Sequence, residues 1–338
     1  MSTTEFYIHK IQKNDTLLSV AKRLQIHPVD LKFFHNERCE ISERIVFDHL
    51  RGINFLFVPI SINSNSSRNR EKANERPNQF FGQSFYKNEY QITEIINDNH
   101  QKQNLISYNI TLNFKEIEHK NIVEFNRKEF RRNGEIPDEK LYHLAQKTQQ
   151  SIFPFRFVIN EKGKFISVFE PEKLIKNFHK NRKEIEADFI GDLTEKYLDA
   201  FEYNLTNKDY LLNQFTSSLL FQVLFMNREV FQTENNFLKK FYLVPNSFAV
   251  NCECNVSYYH FENDVSTIIN AKTINNYDLE NILNGIKSDE EDKTSSFYTE
   301  LFFEYKTDKK VKQLLEANAE IQLYDNEKLY RIYKLILK

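Results

Sequence analysis

A polar segment over residues 61–79 divides the chain into a short and a long part. Its sequence, SINSNSSRNREKANERPNQ, offers almost no side chain that a folded domain would bury. Segments of this composition cannot offset the conformational entropy that is lost on ordering. The pattern therefore predicts two domains, over 5–60 and 80–338, that are joined by a flexible linker over 61–79.

The composition is that of a folded protein that is close to neutral. The 338 residues include 46 basic and 48 acidic side chains, for a formal net charge of −2, and 40% are apolar. This balance gives no reason to expect a nucleic-acid partner. A short basic run over Arg127–Arg132 is explained equally well as a charged, protected strand edge. No glycine-rich phosphate loop is present, and we expect no cofactor.

The sequence carries no indication of export or of a membrane span. The N-terminus, MSTTE, is not a basic segment followed by an apolar run, as a secretory signal would be. The longest apolar stretch, Phe215–Phe225, is about half of the roughly 20 residues that a membrane span needs, and it indicates a core helix. Three cysteines suit a reducing compartment. These features predict a cytoplasmic protein.

Residues 80–338 show strand-like and helix-like patterns in successive blocks. Strands are predicted near 105–114 and 121–130, in hairpins over 153–169 and 317–337, and at 241–244, 248–259 and 297–305. Helices are predicted at 137–150, from Pro171 onward, and at 192–203 and 208–226. Strands, then a helical middle, then strands indicate an α+β domain with antiparallel strands around the helices.

The short N-terminal part has a compact strand–helix–helix–strand pattern. A strand over Tyr7–Ile11 leads into the turn sequence QKNDTL, in which Asp15 or Thr16 is suited to cap a helix. Pro28 is suited to begin a second helix. The apolar positions that these helices would bury are Leu17, Val20, Ala21, Leu24, Val29, Leu31 and Phe34. A closing strand then ends in Leu56-Phe57-Val58-Pro59.

These residues resemble the LysM family, over about one sixth of the chain. The resemblance rests on YIHKIQKNDTL at 7–17, on Val20-Ala21, on Leu31 and Asn36, and on LFVP at 56–59. It implies a βααβ module that binds N-acetylglucosamine-containing glycans, such as peptidoglycan, between two loops. By position, one wall of the groove is formed by Asn14, Asp15, Thr16 and Leu17, and the other by Gly52, Ile53 and Asn54.

Two departures from the family pattern affect this groove. Asn14 replaces the turn glycine of the family, and asparagine tolerates the left-handed conformation that such a turn uses. The loop over Glu37–Leu50 is longer than usual, and Gly52 lies one place further from Leu56. The alternative is that Asp15 and Thr16 only cap a helix, and the residues alone do not decide between these interpretations.

Candidate metal and catalytic constellations are weak. Cys252 and Cys254 share one strand face, with His260 six residues on, but a zinc site needs more ligands. His35, Cys39 and His49 lack the acidic residue of a His-Glu-x-x-His site. We predict no metal site and no catalytic residues.

The resulting hypothesis is a non-enzymatic binding or adaptor protein. LysM-like modules without signals also occur in phage tails and in contractile injection systems, including the type VI secretion system. The module would then dock on a glycan or on an apparatus component, and the larger domain would hold a second protein. Alternatives are a cell-wall protein that binds peptidoglycan and, less favoured, a wall hydrolase with a LysM anchor.

Overall fold

The computed structural model describes residues 6–13, 15–24, 26, 28–39, 43–45, 50, 53–59, 72–98, 103–233, 236–275, 277–287 and 297–338. The chain divides into two compact units, Met1–Glu71 and Lys72–Lys338. We describe each unit separately.

The N-terminal unit has the order strand, helix, helix, strand. Its elements are β1 (Phe6–Lys10), α1 (Leu17–Leu24), α2 (Pro28–Asn36) and β2 (Phe55–Pro59), and β1 pairs antiparallel with β2. Thr16 caps α1, because its Oγ1 accepts from the Ser19 N–H at 3.1 Å while the Thr16 N–H donates to Ser19 Oγ at 2.9 Å. This reciprocal cap satisfies backbone groups that a helix start leaves open.

The long loop after α2 contributes to the core of this unit. The side chain of Asn36 bonds both backbone groups of Ile45, with Nδ2 donating to the carbonyl at 2.8 Å and Oδ1 accepting from the N–H at 2.7 Å. Ile45 and Leu50 are 1% and 7% exposed. They join the buried cluster that contains Leu17, Val20, Ala21, Ile26, Leu31, Leu56 and Val58. The described part of this loop therefore completes the small core.

His35 fastens the same loop to β2. Its Nε2 lies 3.0 Å from the carbonyl of Glu43, and its Nδ1 accepts from the Phe57 N–H at 3.2 Å. The ring is fully buried, and burial lowers the pKa of His35. Because one ring nitrogen accepts and the other faces a carbonyl, the imidazole is neutral in the folded unit.

The second half of the predicted linker belongs to the larger unit. The carbonyl of Asn78 accepts from Nε of Arg228 at 3.1 Å, and the carboxylate of Glu75 lies 2.7 Å from Nδ1 of His260. Residues 72–79 therefore contact the larger unit and are grouped with it, while residues 61–71 of the predicted linker lie outside the described residues. Backbone carbonyls and a carboxylate make these contacts, so apolar patterning gave no sign of them.

Within the described residues, eleven strands of the larger unit form one antiparallel sheet. The strands are β3 (Glu89–Asp98), β4 (Asn104–Ile117), β5 (Lys120–Arg132), β6 (Phe155–Ile159), β7 (Phe165–Val168), β8 (Phe237–Tyr242), β9 (Ala249–His260), β10 (Asp264–Thr273), β11 (Tyr298–Asp308), β12 (Leu314–Asp325) and β13 (Lys328–Leu337). Their order across the sheet is β7-β6-β5-β4-β3-β13-β12-β11-β10-β9-β8. The last strand, β13, thus pairs with the first, β3.

The helices of this unit pack on one face of the sheet. They are α3 (Lys140–Gln150), α4 (Pro171–Asp188), α5 (Asp192–Thr206), α6 (Lys208–Thr216), α7 (Leu219–Leu224) and α8 (Leu279–Asn284). Helix residues such as Phe178 and Phe221 share one core with alternate strand residues such as Phe157 and Ile110. The unit is α+β, as predicted. No helix in the described part of the chain is long and apolar enough to cross a membrane.

The helix predicted over 208–226 is instead two short helices. Ser218 interrupts it, since its Oγ accepts from the Phe221 N–H at 3.3 Å and caps α7. Capping by serine competes with helix continuation. The apolar stretch nevertheless lies in the core, where Leu220, Phe221 and Leu224 are at most 5% exposed.

A buried arginine packs against the turn between β6 and β7. Arg228 is 2% exposed, and its guanidinium lies 3.7 Å from the centre of the Phe85 ring. Burial lowers the pKa of Arg228 to about 10. Gly163 has a φ of +77°, and a Cβ there would lie 3.0 Å from Cδ of Arg228. Glycine is thus required at this turn both by its conformation and by the contact.

Candidate functional site

The two loops of the predicted groove lie at the same end of the β1–β2 sheet. The Ile11 N–H donates to the Asn54 carbonyl at 3.1 Å, which extends the strand pairing beyond Lys10 and Phe55. Asp15 and Thr16 follow directly after one strand, and Ile53 and Asn54 precede the other. Asn14 and Gly52, which complete the predicted set, lie outside the described residues.

The side chains of the first wall are engaged within the unit. Oδ2 of Asp15 accepts from the Gln12 N–H at 2.9 Å and from Arg23 at 2.8 Å. The hydrogen bond from Arg23, followed by that from Gln12, holds the pKa of Asp15 below its usual range. Thr16 is occupied by the helix cap, and Leu17 is fully buried. These side chains therefore stabilise the turn and the core.

The second wall of the predicted groove also offers a glycan few side-chain groups. Ile53 is partly buried against the core cluster, and its N–H donates to the Leu50 carbonyl at 3.2 Å. Asn54 is exposed. Whether any of these residues contacts a glycan stays a prediction, and such a contact would have to use mainly backbone groups and the Asn54 amide.

An apolar face that the sequence did not single out lies on the other side of the same sheet. Phe6 and Ile8 are 46% and 61% exposed. Because Ile8 pairs with Phe57, and cross-strand partners share a face, these side chains lie together. The Phe57 ring packs edge-on against Phe6 and Phe55, with ring centres 5.2 Å and 5.3 Å apart. We call Phe6, Ile8, Phe55 and Phe57 the outer apolar face.

One edge of this small sheet is covered; the other, which we call the open edge, pairs with no strand among the described residues. In antiparallel pairs, hydrogen-bonded and non-hydrogen-bonded positions alternate. Since Ile11 bonds Asn54, the Ile8–Phe57 pair is non-hydrogen-bonded, and the backbone groups of both residues point away from the pair. The outward N–H of Phe57 is met by His35. Within the described residues, no hydrogen bond reaches the outward backbone groups of Ile8.

Two positively charged side chains lie at the C-terminal end of the open edge. Lys10 and Lys13 are exposed. The neighbouring carboxylate, Asp15, is already paired with Arg23 at 2.8 Å. The open edge therefore combines apolar side chains at Phe6 and Ile8 with a basic end. The alternation of apolar and polar residues along β1 did not reveal this arrangement. In the sequence FYIH only His9 is polar, so the pattern did not determine which face of the strand is buried.

Four of the residues considered for metal binding have other contacts, Cys39 is a partly buried free thiol, and His49 lies outside the described residues. Cys252 and Cys254 are buried in the core, and burial raises the pKa of their thiols to about 12 and about 11. His260 faces Glu75, and His35 is occupied by backbone groups. In the described ranges, no group of three or more His, Cys, Asp or Glu side chains is placed to hold a metal ion.

Comparison with known proteins identifies no family for this chain. No family model matches it, and no curated protein does. Among solved structures, a lipovitellin structure described under "Lipid-protein interactions in lipovitellin" is similar at 10% identity and a TM-score of 0.35. That match covers 74% of this chain, which spans about a quarter (24%) of the lipovitellin chain.

A LolA superfamily protein from Nitrosomonas europaea is similar at 9% identity and a TM-score of 0.22, over 82% of this chain and 92% of that one. At such identities and TM-scores, neither similarity supports an inference about function.

Proposed function

We propose that this protein is a non-enzymatic adaptor whose N-terminal unit docks on another protein, while the larger unit holds a second partner. The docking element is β1, which accepts an extended segment of the partner as a third strand. The observation that carries the proposal is the open edge of β1, where backbone groups that no described residue bonds adjoin exposed apolar side chains.

An open edge of this kind is unusual in a protein that acts alone. Folded proteins shield edge strands with charges, prolines, bulges or covering loops, because an exposed apolar edge pairs with other chains. Here His35 shields β2, and no residue in the described part of the unit shields β1. Partners that add a strand gain main-chain hydrogen bonds, and their alternate side chains gain specificity from the adjoining face.

The chemistry of the edge specifies the partner segment. Its alternate residues are apolar, to cover Phe6 and Ile8, and one end is acidic, to lie beside Lys10 and Lys13. A phage-tail-like or type VI secretion component presenting such a segment fits the LysM resemblance. The rival function, binding of a peptidoglycan glycan in the groove, is less well supported because Asp15, Thr16 and Leu17 are engaged within the unit.

A proline substitution tests strand addition directly. Ile8→Pro removes an N–H that points away from β2, so the β1–β2 pairing remains, but an added strand loses a hydrogen bond. Ile8→Thr is the matched control, since it keeps the N–H. A photo-crosslinking phenylalanine analogue is placed at Phe6, and the protein is crosslinked in the source cells. In the Ile8→Thr variant it should form an adduct with a defined protein. In the Ile8→Pro variant it should form no such adduct. The same analogue at Leu18, exposed on α1, is the positional control.

The crosslinked segment, made as a synthetic peptide, should bind the full chain and bind the Ile8→Pro variant at least tenfold more weakly. An adduct that survives Ile8→Pro, or a peptide that binds both variants equally, would refute strand addition. Sedimentation with purified sacculi tests the rival function. Cosedimentation that Asn54→Ala abolishes and Ile8→Pro leaves unchanged would establish glycan binding in place of protein docking.

A further inference from the structure

A polar groove lies on the face of the large sheet that is turned away from the helices. It has a volume of about 370 Å³ and lies across the first strands of the unit, β3 to β5. The polar side chains that line it include Asn88, Glu89, Thr111, Asn113, Asn126 and Lys128. We call it the amide groove.

Strand register places these side chains together. Thr111 pairs with Glu89 on β3 and with Asn126 on β5, so all three point to the same side of the sheet. The residues between them along β4, Ile110 and Leu112, are fully buried on the core face. The groove therefore rests on rigid, paired strands, and its side chains are positioned by the core beneath them.

Charged side chains of both signs lie at the groove, two carboxylates and three cations. Glu124 on its floor pairs with Lys115 at 2.8 Å and with Arg156 at 2.7 Å. Burial acts to raise the pKa of Glu124, but these two cations outweigh it and hold the pKa below its usual range. The remaining charged side chains, Glu89 and Lys128, are of opposite sign. A phosphate would meet two carboxylates, and a cation would compete with the two partners of Glu124.

The amides are available for a ligand. The side chains of Asn88 and Asn113 make no hydrogen bond within the described part of the chain, and each offers one acceptor and two donors. Asn126 uses its Oδ1 to accept from the Arg127 N–H at 2.9 Å, which leaves its two amide donors. Thr111 adds a hydroxyl. This mixture of uncharged donors and acceptors matches vicinal hydroxyl groups, each of which also donates and accepts.

From this geometry we infer that the amide groove binds a neutral saccharide. An apolar ligand is disfavoured, because most ligand sites are lined chiefly by apolar side chains, whereas seven of the eight residues that line this groove are polar. The volume lies at the small end of ligand sites, which suits one sugar unit held by the amides while its neighbours extend into solvent. This site is separate from the β1 edge and does not depend on the proposed adaptor function.

Saturation-transfer NMR on the full chain tests the inference, with chitotetraose, cellotetraose and maltotetraose as probes at millimolar concentration. At least one probe should show transfer, and Asn113→Ala should weaken that binding at least tenfold. Asn270→Ala, on the same sheet face in β10, is the matched control and should bind as the unchanged protein does. Because Asn113 is exposed, its variant should keep the thermal midpoint of the unchanged chain.

Two outcomes would overturn the inference. Transfer to none of the three probes would exclude the saccharide assignment. Transfer that Asn113→Ala leaves unchanged would place the binding elsewhere, for example between the loops of the N-terminal unit, where Asn54→Ala would then abolish it. Strand addition at β1 is unaffected by either outcome, so failure here is distinguishable from failure of the proposed function.

Discussion

Replacing Asn36 by alanine should destabilise the N-terminal unit. The Asn36 amide satisfies both the N–H and the carbonyl of Ile45, at 2.7 Å and 2.8 Å. Ile45 is 1% exposed, so water cannot readily replace the amide at either group. A buried polar backbone group without a partner costs about 1–3 kcal/mol. With two such groups, and some relaxation of the loop, we expect a loss of about 2–4 kcal/mol.

Hydrogen exchange followed by mass spectrometry measures this loss in the full chain. A change of about 1.4 kcal/mol corresponds to tenfold in an equilibrium constant, so protection in peptides covering α1 should fall about 30- to 1,000-fold. Peptides from the large sheet should be unchanged, because that unit has its own core.

Asn54→Ala is the matched control for this experiment, since the Asn54 side chain is exposed and only its backbone carbonyl is used. It should alter protection in α1 by less than threefold. If Asn36→Ala has an equally small effect, the Asn36 hydrogen bonds do not hold the long loop in the N-terminal core, and that explanation of the core is wrong.

Three further predictions concern buried groups and glycine geometry. Gly163→Ala should lower the free energy of unfolding by about 1–3 kcal/mol more than Gly134→Ala in urea titrations, because both glycines have positive φ but only Gly163 faces Arg228. Equal losses would show that the contact is immaterial. In native protein at pH 8, a thiol reagent should modify Cys39 alone, and all three cysteines after denaturation; fast native labelling of the strand thiols would contradict their burial. Since burial lowers the pKa of His35, the unfolded chain takes up a proton first as pH falls below about 6.5, so exchange protection of α1 should decrease there and stay constant above. A flat profile from pH 7.5 to 5.5 would oppose a neutral buried His35.

The sequence alone determined the features that depend on neighbouring residues. A helix cap at Asp15 or Thr16, the helix start at Pro28 and the hairpin around Gly163 were predicted, because each is set by side chains within a few positions; the structure places the cap at Thr16. Local apolar patterning likewise located most strands and helices of the larger unit, and with them its α+β class.

Tertiary structure decided the features that depend on distant residues. Pairing of β13 with β3 brings Leu337 opposite Ile92. The alternation of apolar residues indicates which side chains of a strand share a face, but it does not indicate which strand lies beside that strand. The amide groove needs three strands in register, and the open edge of β1 appears only once β2 and His35 have taken their places. Strand β10 was not predicted, since its polar residues Ser266 and Thr267 are buried by pairing on both sides. Local periodicity cannot report such arrangements, because the hydrogen bonds and burial that create them come from segments far away along the chain.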